Sequence, residues 1–253
     1  VSCGVCGACL SGRANLCNER EIISMPPRQG AFAEQIAVPE KNLIEIPKKL
    51  DLKVAALAEP LATAWHAVSL SGQHSARPLA EATALVIGSG AVGLGSALVL
   101  KNFGCSRIII AETNPLRRQT AEHAGFDTVV DPNHTHALAE GFAEIVIDAV
   151  GNKGTRLASV RSACPGGVIV HIGLGDGLDG FDARRLTLQE ILLVGSYTYT
   201  MVDFKSTVKA MADGRLGALD WTERRPLEDG PKAFKEMLAG ETAAAKIVFL
   251  NDR

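Results

Sequence analysis

The chain has 253 residues, of which 47% are hydrophobic and 21% are charged, a balance typical of a globular protein with a full core. Its formal net charge of −2 gives no electrostatic reason to expect nucleic acid or an anionic membrane as a partner. No apolar run approaches the roughly 18 residues that a membrane-spanning helix needs. The length fits one large domain or two ordinary ones. The first residues do not form a signal peptide, and we expect a cytoplasmic protein.

Four of the six cysteines crowd into the start of the chain with the spacing C-x2-C-x2-C-x7-C, namely Cys3, Cys6, Cys9 and Cys17. Four thiolates on a short glycine-rich loop can close a tetrahedral zinc site without an open position, which predicts structural zinc. Two disulfides are one alternative, and these are rare in the cytoplasm. An iron–sulfur cluster is the other, but its fourth cysteine would precede a proline, whereas Asn18 follows here. Cys105 and Cys164 are predicted to be inert core residues.

The next two segments are predicted as antiparallel strands of a domain distinct from the sheet downstream. They cover Gly30–Val38 and Leu43–Ile46, and each ends at a proline. Further on, Pro60 suits the first turn of a helix with Glu59 at its electropositive end. From residue types alone, a carboxylate that complements the helix dipole is favoured over a metal ligand. Thr63, one turn later, faces either a site or its own helix.

A glycine-rich loop lies at the centre of the sequence. The apolar run Ala84–Ile87 predicts a buried parallel strand, and G-x-G-x-x-G follows it at Gly88, Gly90 and Gly93. In this motif the first glycine permits a tight turn, the second lets the backbone approach a pyrophosphate, and the third lets helix and strand pack closely. The free N–H groups at the start of the new helix, around Ala91 and Val92, favour the phosphate charge.

A second strand, Arg107–Ala111, delivers Glu112 at its end. A carboxylate there accepts hydrogen bonds from the adenosine ribose hydroxyls and repels a 2′-phosphate. NAD is therefore predicted over NADP, although Arg117 counterbalances part of the charge. The alternative interpretation of Glu112 is a solvent-facing acid before a turn.

Alternation of strands and helices continues and predicts a doubly wound parallel sheet. The further strands cover 128–130, 145–148, 168–172 and 191–194, and later segments predict helices at 203–211 and 230–238 and a strand at 246–250. Ligands bind such sheets beyond the carboxyl ends of the strands. The residues at these tips are candidate cofactor contacts or simple tight turns, namely Val150, Gly173, Leu174, Ser196 and Tyr197. Four histidines lack ligand-like partners in the sequence and are predicted as surface or core residues, namely His123, His134, His136 and His171. His66 is predicted to be a packing residue rather than a ligand.

Together these motifs resemble the zinc-dependent medium-chain alcohol dehydrogenases, particularly the polyol branch of sorbitol, threonine and butanediol dehydrogenases. The four-cysteine lobe, the run Glu59-Pro60-Leu61-Ala62 and the glycine loop with Glu112 carry the resemblance. Asp148-Ala-Val-Gly151 and Lys246-Ile-Val248 fit as well.

The resemblance implies a doubly wound (Rossmann) nucleotide domain at 61–198. Residues 1–60 and 199–253 would form part of a GroES-like, mainly β catalytic domain that carries the zinc lobe. It also places Glu59 at or beside a catalytic zinc with Thr63 in the site, Val150 and Leu174 near the nicotinamide, and Lys246 near the cofactor phosphates or nicotinamide ribose. Homodimers joined through strand 191–194, sometimes paired into tetramers, are implied too.

The implied activity is hydride transfer between a secondary alcohol or polyol and NAD. Members of the family carry a catalytic Cys and a Gly-His-Glu motif ahead of the cysteine lobe, and neither is found in this sequence. We therefore expect the chain as given to be catalytically incomplete. A non-catalytic NAD-binding protein with a zinc lobe is the alternative function. A zinc-independent quinone reductase is a weaker one, because that branch lacks the cysteine lobe.

Overall fold

Six parallel strands form the main sheet of this computed structural model, which describes residues 1–134 and 137–251. The strands lie in the order β3-β2-β1-β4-β5-β6. Their bounds are Thr83–Ile87 for β1, Arg107–Ala111 for β2, Val129–Val130 for β3, Ala143–Asp148 for β4, Ala163–His171 for β5 and Leu192–Gly195 for β6. The strand order reverses between β1 and β4, so the predicted doubly wound sheet is confirmed. His136 lies outside the described residues.

The described residues form nine α-helices. They are α1 Gly7–Leu10, α2 Leu52–Ala55, α3 Ala58–His74, α4 Ala91–Asn102, α5 Pro115–His123, α6 Lys153–Ser162, α7 Ala183–Leu188, α8 Met201–Ala212 and α9 Gly230–Ala239. Asn114 caps the start of α5, since its side chain accepts hydrogen bonds from the N–H groups of Leu116 and Arg117. No helix in the described ranges is long and apolar enough to cross a membrane.

Helices cover both faces of the sheet, which explains why its strands are continuous apolar runs. Leu61 of α3 and Leu98 of α4 pack with Val86 of β1 on one face, whereas Val160 of α6 packs with Leu85 on the other. All five residues of β1 are buried, and full burial of one large apolar side chain contributes roughly 1.5–3 kcal/mol. The two layers hold the strand ends in fixed positions.

The two strands predicted at 30–38 and 43–46 are wrong, because the backbone there forms only bends and coil, and a short 3₁₀ turn at Glu40–Asn42 separates the two segments. An extended segment becomes a strand when a neighbour pairs with its N–H and C=O groups, and no described segment pairs with either one. Their apolar side chains remain accessible, with Phe32 68% and Leu43 62% exposed.

A second sheet joins β7 (Thr222–Pro226) and β8 (Lys246–Leu250) in parallel. The prediction of β8 is confirmed with its bounds. The sequence does not predict β7, because Thr-Glu-Arg-Arg-Pro has no alternation of apolar side chains. Ion pairs hold this charged strand, since Arg225 contacts Glu223 at 2.7 Å and Glu236 of α9 at 2.6 Å.

Candidate functional site

The carboxyl ends of the six parallel strands meet along one edge of the main sheet. The predicted contacts follow these ends: Gly88 after β1, Glu112 after β2, Val150 after β4, Gly173 and Leu174 after β5, and Ser196 after β6. Parallel pairing in register brings the ends together, as Ile87 lies opposite both Ala111 and Asp148. The structure therefore gathers these residues at one edge.

Two glycines of the loop, Gly88 and Gly93, occupy positions without room for a side chain. Gly88 has a positive φ of +89°, and a Cβ there would lie 2.5 Å from Val150 Cγ2. A Cβ at Gly93 would lie 1.9 Å from the carbonyl oxygen of Gly88, whereas one at Gly90 would meet nothing within 4 Å. The loop is thus closed on its protein side and open at Gly90, the position where backbone would approach a phosphate.

The start of α4 has the form of an anion site. Gly90 is the N-cap residue and supplies no side-chain hydrogen bond to the first turn. The N–H groups of the first helical turn, at Ala91 and Val92, have no intrahelical partner. Together with the helix dipole they favour a negatively charged group. These residues fit the pyrophosphate of a dinucleotide.

Glu112 is 6% exposed and fastens the glycine loop to the end of β2. Its Oε2 accepts hydrogen bonds from Ser89 N at 2.7 Å and Ser89 Oγ at 3.1 Å. Its Oε1 accepts one from Asn114 N at 2.8 Å. The carboxylate is therefore held in one orientation by protein donors, and carboxylate oxygens have lone pairs left for ribose hydroxyls.

Ser89 and Arg118 belong to this region although sequence reasoning did not select them. Ser89 occupies a variable position of the motif, and only its contact with Glu112 reveals its role. Arg118 donates hydrogen bonds to the carbonyl oxygens of Glu112 and Thr113, each at 2.8 Å, and pairs with Asp131 at 3.2 Å. Because Arg118 is paired with Asp131, Arg117 is the cation near Glu112 whose Nε is buried without a hydrogen-bond partner among the described residues.

Asp148 organises the end of β4. This carboxylate is fully buried, and it accepts hydrogen bonds from Val150 N at 3.0 Å, Gly151 N at 2.9 Å and Thr155 Oγ1 at 3.0 Å. His171 Nδ1, at the end of β5, lies 3.2 Å from Asp148 Oδ2 but is not aligned for a hydrogen bond. His171 therefore lies beside this carboxylate, a neighbour that the sequence does not indicate.

The four N-terminal cysteines converge as predicted. Their ligand atoms all lie within 4.8 Å of one another, with Cys6 Sγ 3.5 Å and Cys3 Sγ 3.9 Å from Cys9 Sγ. Tetrahedral zinc with Zn–S bonds of about 2.3 Å places its sulfurs about 3.8 Å apart. All six cysteines are free thiols in the structure, so the disulfide alternative finds no support, and the sulfur spacing fits closed tetrahedral coordination.

The thiols influence one another's ionisation. Hydrogen bonds from the backbone N–H groups of Val5 and Cys6 lower the pKa of Cys3 to about 6. Burial and the neighbouring sulfurs raise the pKa of Cys9 to about 11. Adjacent thiolates repel one another, and a divalent cation bonded to all of them offsets that repulsion. The cluster is therefore suited to a cation rather than to four free thiolates.

Glu59 lies in the first turn of α3, as predicted, and its side chain reaches solvent. Surrounding protein still desolvates the carboxylate and raises its pKa, while Lys246 and a hydrogen bond with Tyr199 oppose that rise. Tyr199 and Lys246 thus lie beside Glu59. Thr63 Oγ1 lies 3.4 Å from the Glu59 carbonyl oxygen, so this hydroxyl turns back to its own helix.

Three further contacts join α3 and the cysteine lobe to the chain that follows β6. His66 Nδ1 lies 2.9 Å from Asp203 Oδ2 of α8. The Tyr197 ring lies under the Arg20 guanidinium with 4.8 Å from Cζ to its centroid, and Asn15 donates to the Tyr197 carbonyl oxygen at 2.8 Å. Tyr197 therefore faces the cysteine lobe. Within the described ranges, the four cysteines are the only cluster of three or more metal-ligand side chains.

Comparison with known proteins gives two family matches. Residues 91–213 match the zinc-binding dehydrogenase family, and residues 1–48 match the alcohol dehydrogenase GroES-like domain. The (R,R)-butanediol dehydrogenase of Saccharomyces cerevisiae is 32% identical over 96% of this chain and 66% of its own length. A probable D-xylulose reductase A of Arthroderma otae is 30% identical over 95% of this chain and 70% of its own length.

Among solved structures, the L-idonate 5-dehydrogenase of Escherichia coli superposes with a TM-score of 0.86 and 26% identity, covering 98% of this chain and 73% of that one. Other solved structures of the same fold hold NAD in one case and NADP in another. The chain spans about two thirds of the length of the yeast relative. From these matches and the site geometry, the chain belongs to the zinc-binding dehydrogenase family.

Proposed function

We propose that the whole protein is an NAD-dependent dehydrogenase of secondary alcohols or polyols. The observation that carries the proposal is the buried Glu112 carboxylate, which is fastened to the glycine loop and faces the edge where a dinucleotide would bind. Relatives named butanediol dehydrogenase and D-xylulose reductase indicate small polyhydroxylated substrates and their ketones. The chain spans 66% of the yeast relative, so this proposal concerns the full-length protein.

The adenosine half of the cofactor would lie on Gly88, Gly90 and Gly93, with the first turn of α4 beneath the pyrophosphate. Glu112 would accept the ribose hydroxyls, and Arg117 would flank the adenosine. Solved structures of this fold hold either NAD or NADP, so the fold alone does not decide between them. Glu112 favours NAD, because a buried carboxylate repels a 2′-phosphate.

The nicotinamide half would lie along the ends of β4, β5 and β6. Val150 would pack against the ring, while the backbone of Gly173 and Leu174 would border its amide. Ser196 has a buried hydroxyl without a partner among the described residues, which makes it a candidate donor to the cofactor. We keep Tyr197 as a neighbour of this region and Lys246 as a contact for the nicotinamide ribose or a phosphate.

Two zinc sites belong to the proposal. Cys3, Cys6, Cys9 and Cys17 would hold a structural ion. Glu59 would stand at or beside a catalytic ion, with Thr63 one turn along the same helix. When bound, catalytic zinc acts as a Lewis acid on the alcohol oxygen and the nicotinamide accepts the hydride. Of the described residues, Lys246 and Tyr199 both favour the charged form of Glu59 and so oppose the rise of its pKa.

The second candidate function is a non-catalytic NAD-binding protein with a structural zinc lobe. One observation favours it: in the described part of the chain, Glu59 has no cluster of further metal ligands around it. Zinc content of the full-length protein separates the two functions. Two ions per chain support the dehydrogenase, whereas a single ion supports the binding protein.

We also propose a cytoplasmic location, because disulfides are rare there and the four clustered thiols would stay reduced. A homodimer or homotetramer is proposed on the basis of β6. This strand ends the sheet, and Leu192 and Leu193 are 42% and 36% exposed. Unpaired backbone groups on an apolar edge favour pairing with a second copy.

The proposed function is tested with the 253-residue chain and the full-length protein side by side. Calorimetry should detect NAD binding to both, because the glycine loop, Glu112 and the later strand ends are present in both. Alcohol-dependent NADH formation should occur with the full-length protein and stay at background for the chain alone, since three protein ligands are needed to hold an open zinc site. Turnover by the chain alone would show that other ligands, His66 first, hold the metal. Absence of NAD binding to either would refute the proposal.

Replacing Cys9 with serine tests the structural zinc. Because a closed thiolate site contributes folding energy, Cys9→Ser should lose one zinc ion per chain and unfold its lobe at lower temperature. Metal content by mass spectrometry and thermal melting report the two effects. Cys164→Ser, which removes a cysteine outside the cluster, is the matched control. Unchanged zinc content in Cys9→Ser would contradict the assignment.

Cofactor preference depends on the charge of Glu112. NAD should bind at least about tenfold more tightly than NADP, equal to about 1.4 kcal/mol, and Glu112→Ala should narrow that ratio. Dissociation constants for both cofactors give the measurement. Glu122→Ala, on the exposed side of α5, should leave the ratio unchanged. Equal affinities in the parent protein would overturn the preference.

Assembly through β6 is tested by placing charge on its edge. Light scattering should show at least a dimer at micromolar concentration. Lysines at Leu192 and Leu193 should shift the protein toward monomer, because edge charges block strand pairing. Leu52→Lys, at a residue that is 71% exposed on α2, serves as the control. A monomeric parent protein would exclude this assembly.

A further inference from the structure

Arg156 of α6 carries a buried charge without an acidic partner. The residue is 6% exposed, and no carboxylate of the described residues lies within ion-pair distance of its guanidinium. Arginine is rarely buried to this extent unless it is paired, because the loss of hydration is costly. Something other than a carboxylate must therefore compensate the charge.

Backbone carbonyl groups provide that compensation. Arg156 Nη1 donates to the carbonyl oxygens of Asp176 at 3.3 Å, Gly177 at 3.0 Å and Asp179 at 2.9 Å. Nη2 donates to the Gly151 carbonyl oxygen at 2.6 Å. The planar guanidinium presents its N–H groups in a fixed fork. It therefore joins the end of β4 to the segment that follows β5.

That segment, residues 172–182, is named here the β5 loop. It begins at the end of β5 and includes Gly173 and Leu174. Its backbone lies directly on the end of β4, since Gly175 N donates to the Val150 carbonyl oxygen at 3.1 Å. A Cβ at Gly173 would lie 2.2 Å from the Val150 carbonyl carbon. Movement of the β5 loop would thus displace the surface proposed for the nicotinamide.

At its far end the β5 loop is anchored by Phe181, which packs against the core and lies 5.3 Å from the His171 ring, centroid to centroid. Leu174 and Leu178 are 90% and 102% exposed, so neither buries apolar surface that would fix the backbone. Lys153 pairs with Asp179 at 2.8 Å, but both side chains are more than 60% exposed (66% and 62%). Exposed ion pairs contribute little. Between Gly175 and Phe181, the buried guanidinium is therefore the main tether of the loop.

We propose that Arg156 is a positioning residue for the nicotinamide half of the cofactor site. This inference rests on the proposed NAD site. By drawing three loop carbonyls and Gly151 onto one guanidinium, Arg156 holds the β5 loop in its cofactor-ready position before the ligand arrives. Preorganisation of this kind removes an ordering cost from binding. Since its hydrogen bonds go to backbone carbonyl oxygens of the loop and of Gly151, Arg156 would position the loop rather than contact the cofactor.

The two halves of the cofactor respond differently to this tether. The adenosine half depends on the glycine loop and Glu112, which make no contact with Arg156 among its hydrogen bonds. Loss of the guanidinium should therefore weaken the binding of a ligand that reaches the β5 loop. The binding of a ligand that ends at the adenosine diphosphate ribose should stay unchanged. A general loss of stability would affect both ligands alike.

The experiment compares NADH with ADP-ribose by calorimetry on the full chain. Arg156→Gln should raise the dissociation constant of NADH by about tenfold or more and change that of ADP-ribose by less than about twofold. Thermolysin should also cut the variant faster at Leu174 or Leu178. Arg161→Gln, on an exposed position of the same helix, should behave as the parent in all three measurements.

Arg156→Lys is the second variant and carries the test if the glutamine variant does not fold. Lysine keeps the positive charge but lacks the forked N–H groups of the guanidinium. Arg156→Lys should therefore lose less affinity for NADH than Arg156→Gln and keep its affinity for ADP-ribose. If both ligands lost affinity equally, or if NADH lost none, the positioning role of Arg156 would be refuted. Failure of the parent chain to bind either ligand would instead refute the proposed NAD site itself.

Discussion

Direct contact between backbones is the constraint on which the functional edge of the sheet depends. A Cβ at Gly93 would lie 1.9 Å from the Gly88 carbonyl oxygen, and one at Gly151 would lie 2.1 Å from that of Gly173. The first contact seats α4 against the end of β1, and the second seats the β5 loop on the end of β4. Because both approaches leave no room for a side chain, the strand-end loops form one continuous surface rather than separate turns.

Charges buried at this edge are neutralised largely by backbone groups. Glu112 and Asp148 accept backbone N–H donors, whereas Arg156 donates to backbone carbonyls. A buried charge that loses its partners is costly, so each of these side chains resists displacement of its loop. The fold thereby holds the glycine loop, the β4 end and the β5 loop with three residues from different parts of the sequence.

The segment that follows β6 contacts both helix α3 and the cysteine lobe. Glu59 at the start of α3 meets Tyr199, and His66, two turns further along, meets Asp203 of α8. Tyr197, which lies between the end of β6 and Tyr199 in the chain, faces Arg20 of the cysteine lobe. These contacts link the cysteine lobe to α3 through the segment that follows β6.

Local patterns in the sequence were enough to predict the six strands, the glycine loop with Glu112 and the convergence of four cysteines, because each depends on residues close together in the chain. The strands predicted at 30–38 and 43–46 were wrong, since pairing depends on a neighbour that local pattern cannot supply. The charged strand β7 and the partners of Arg156 and His171 were also decided only by the tertiary structure. His66 and Asp203 lie 137 residues apart, and only folding of the whole chain brings such groups within bonding distance.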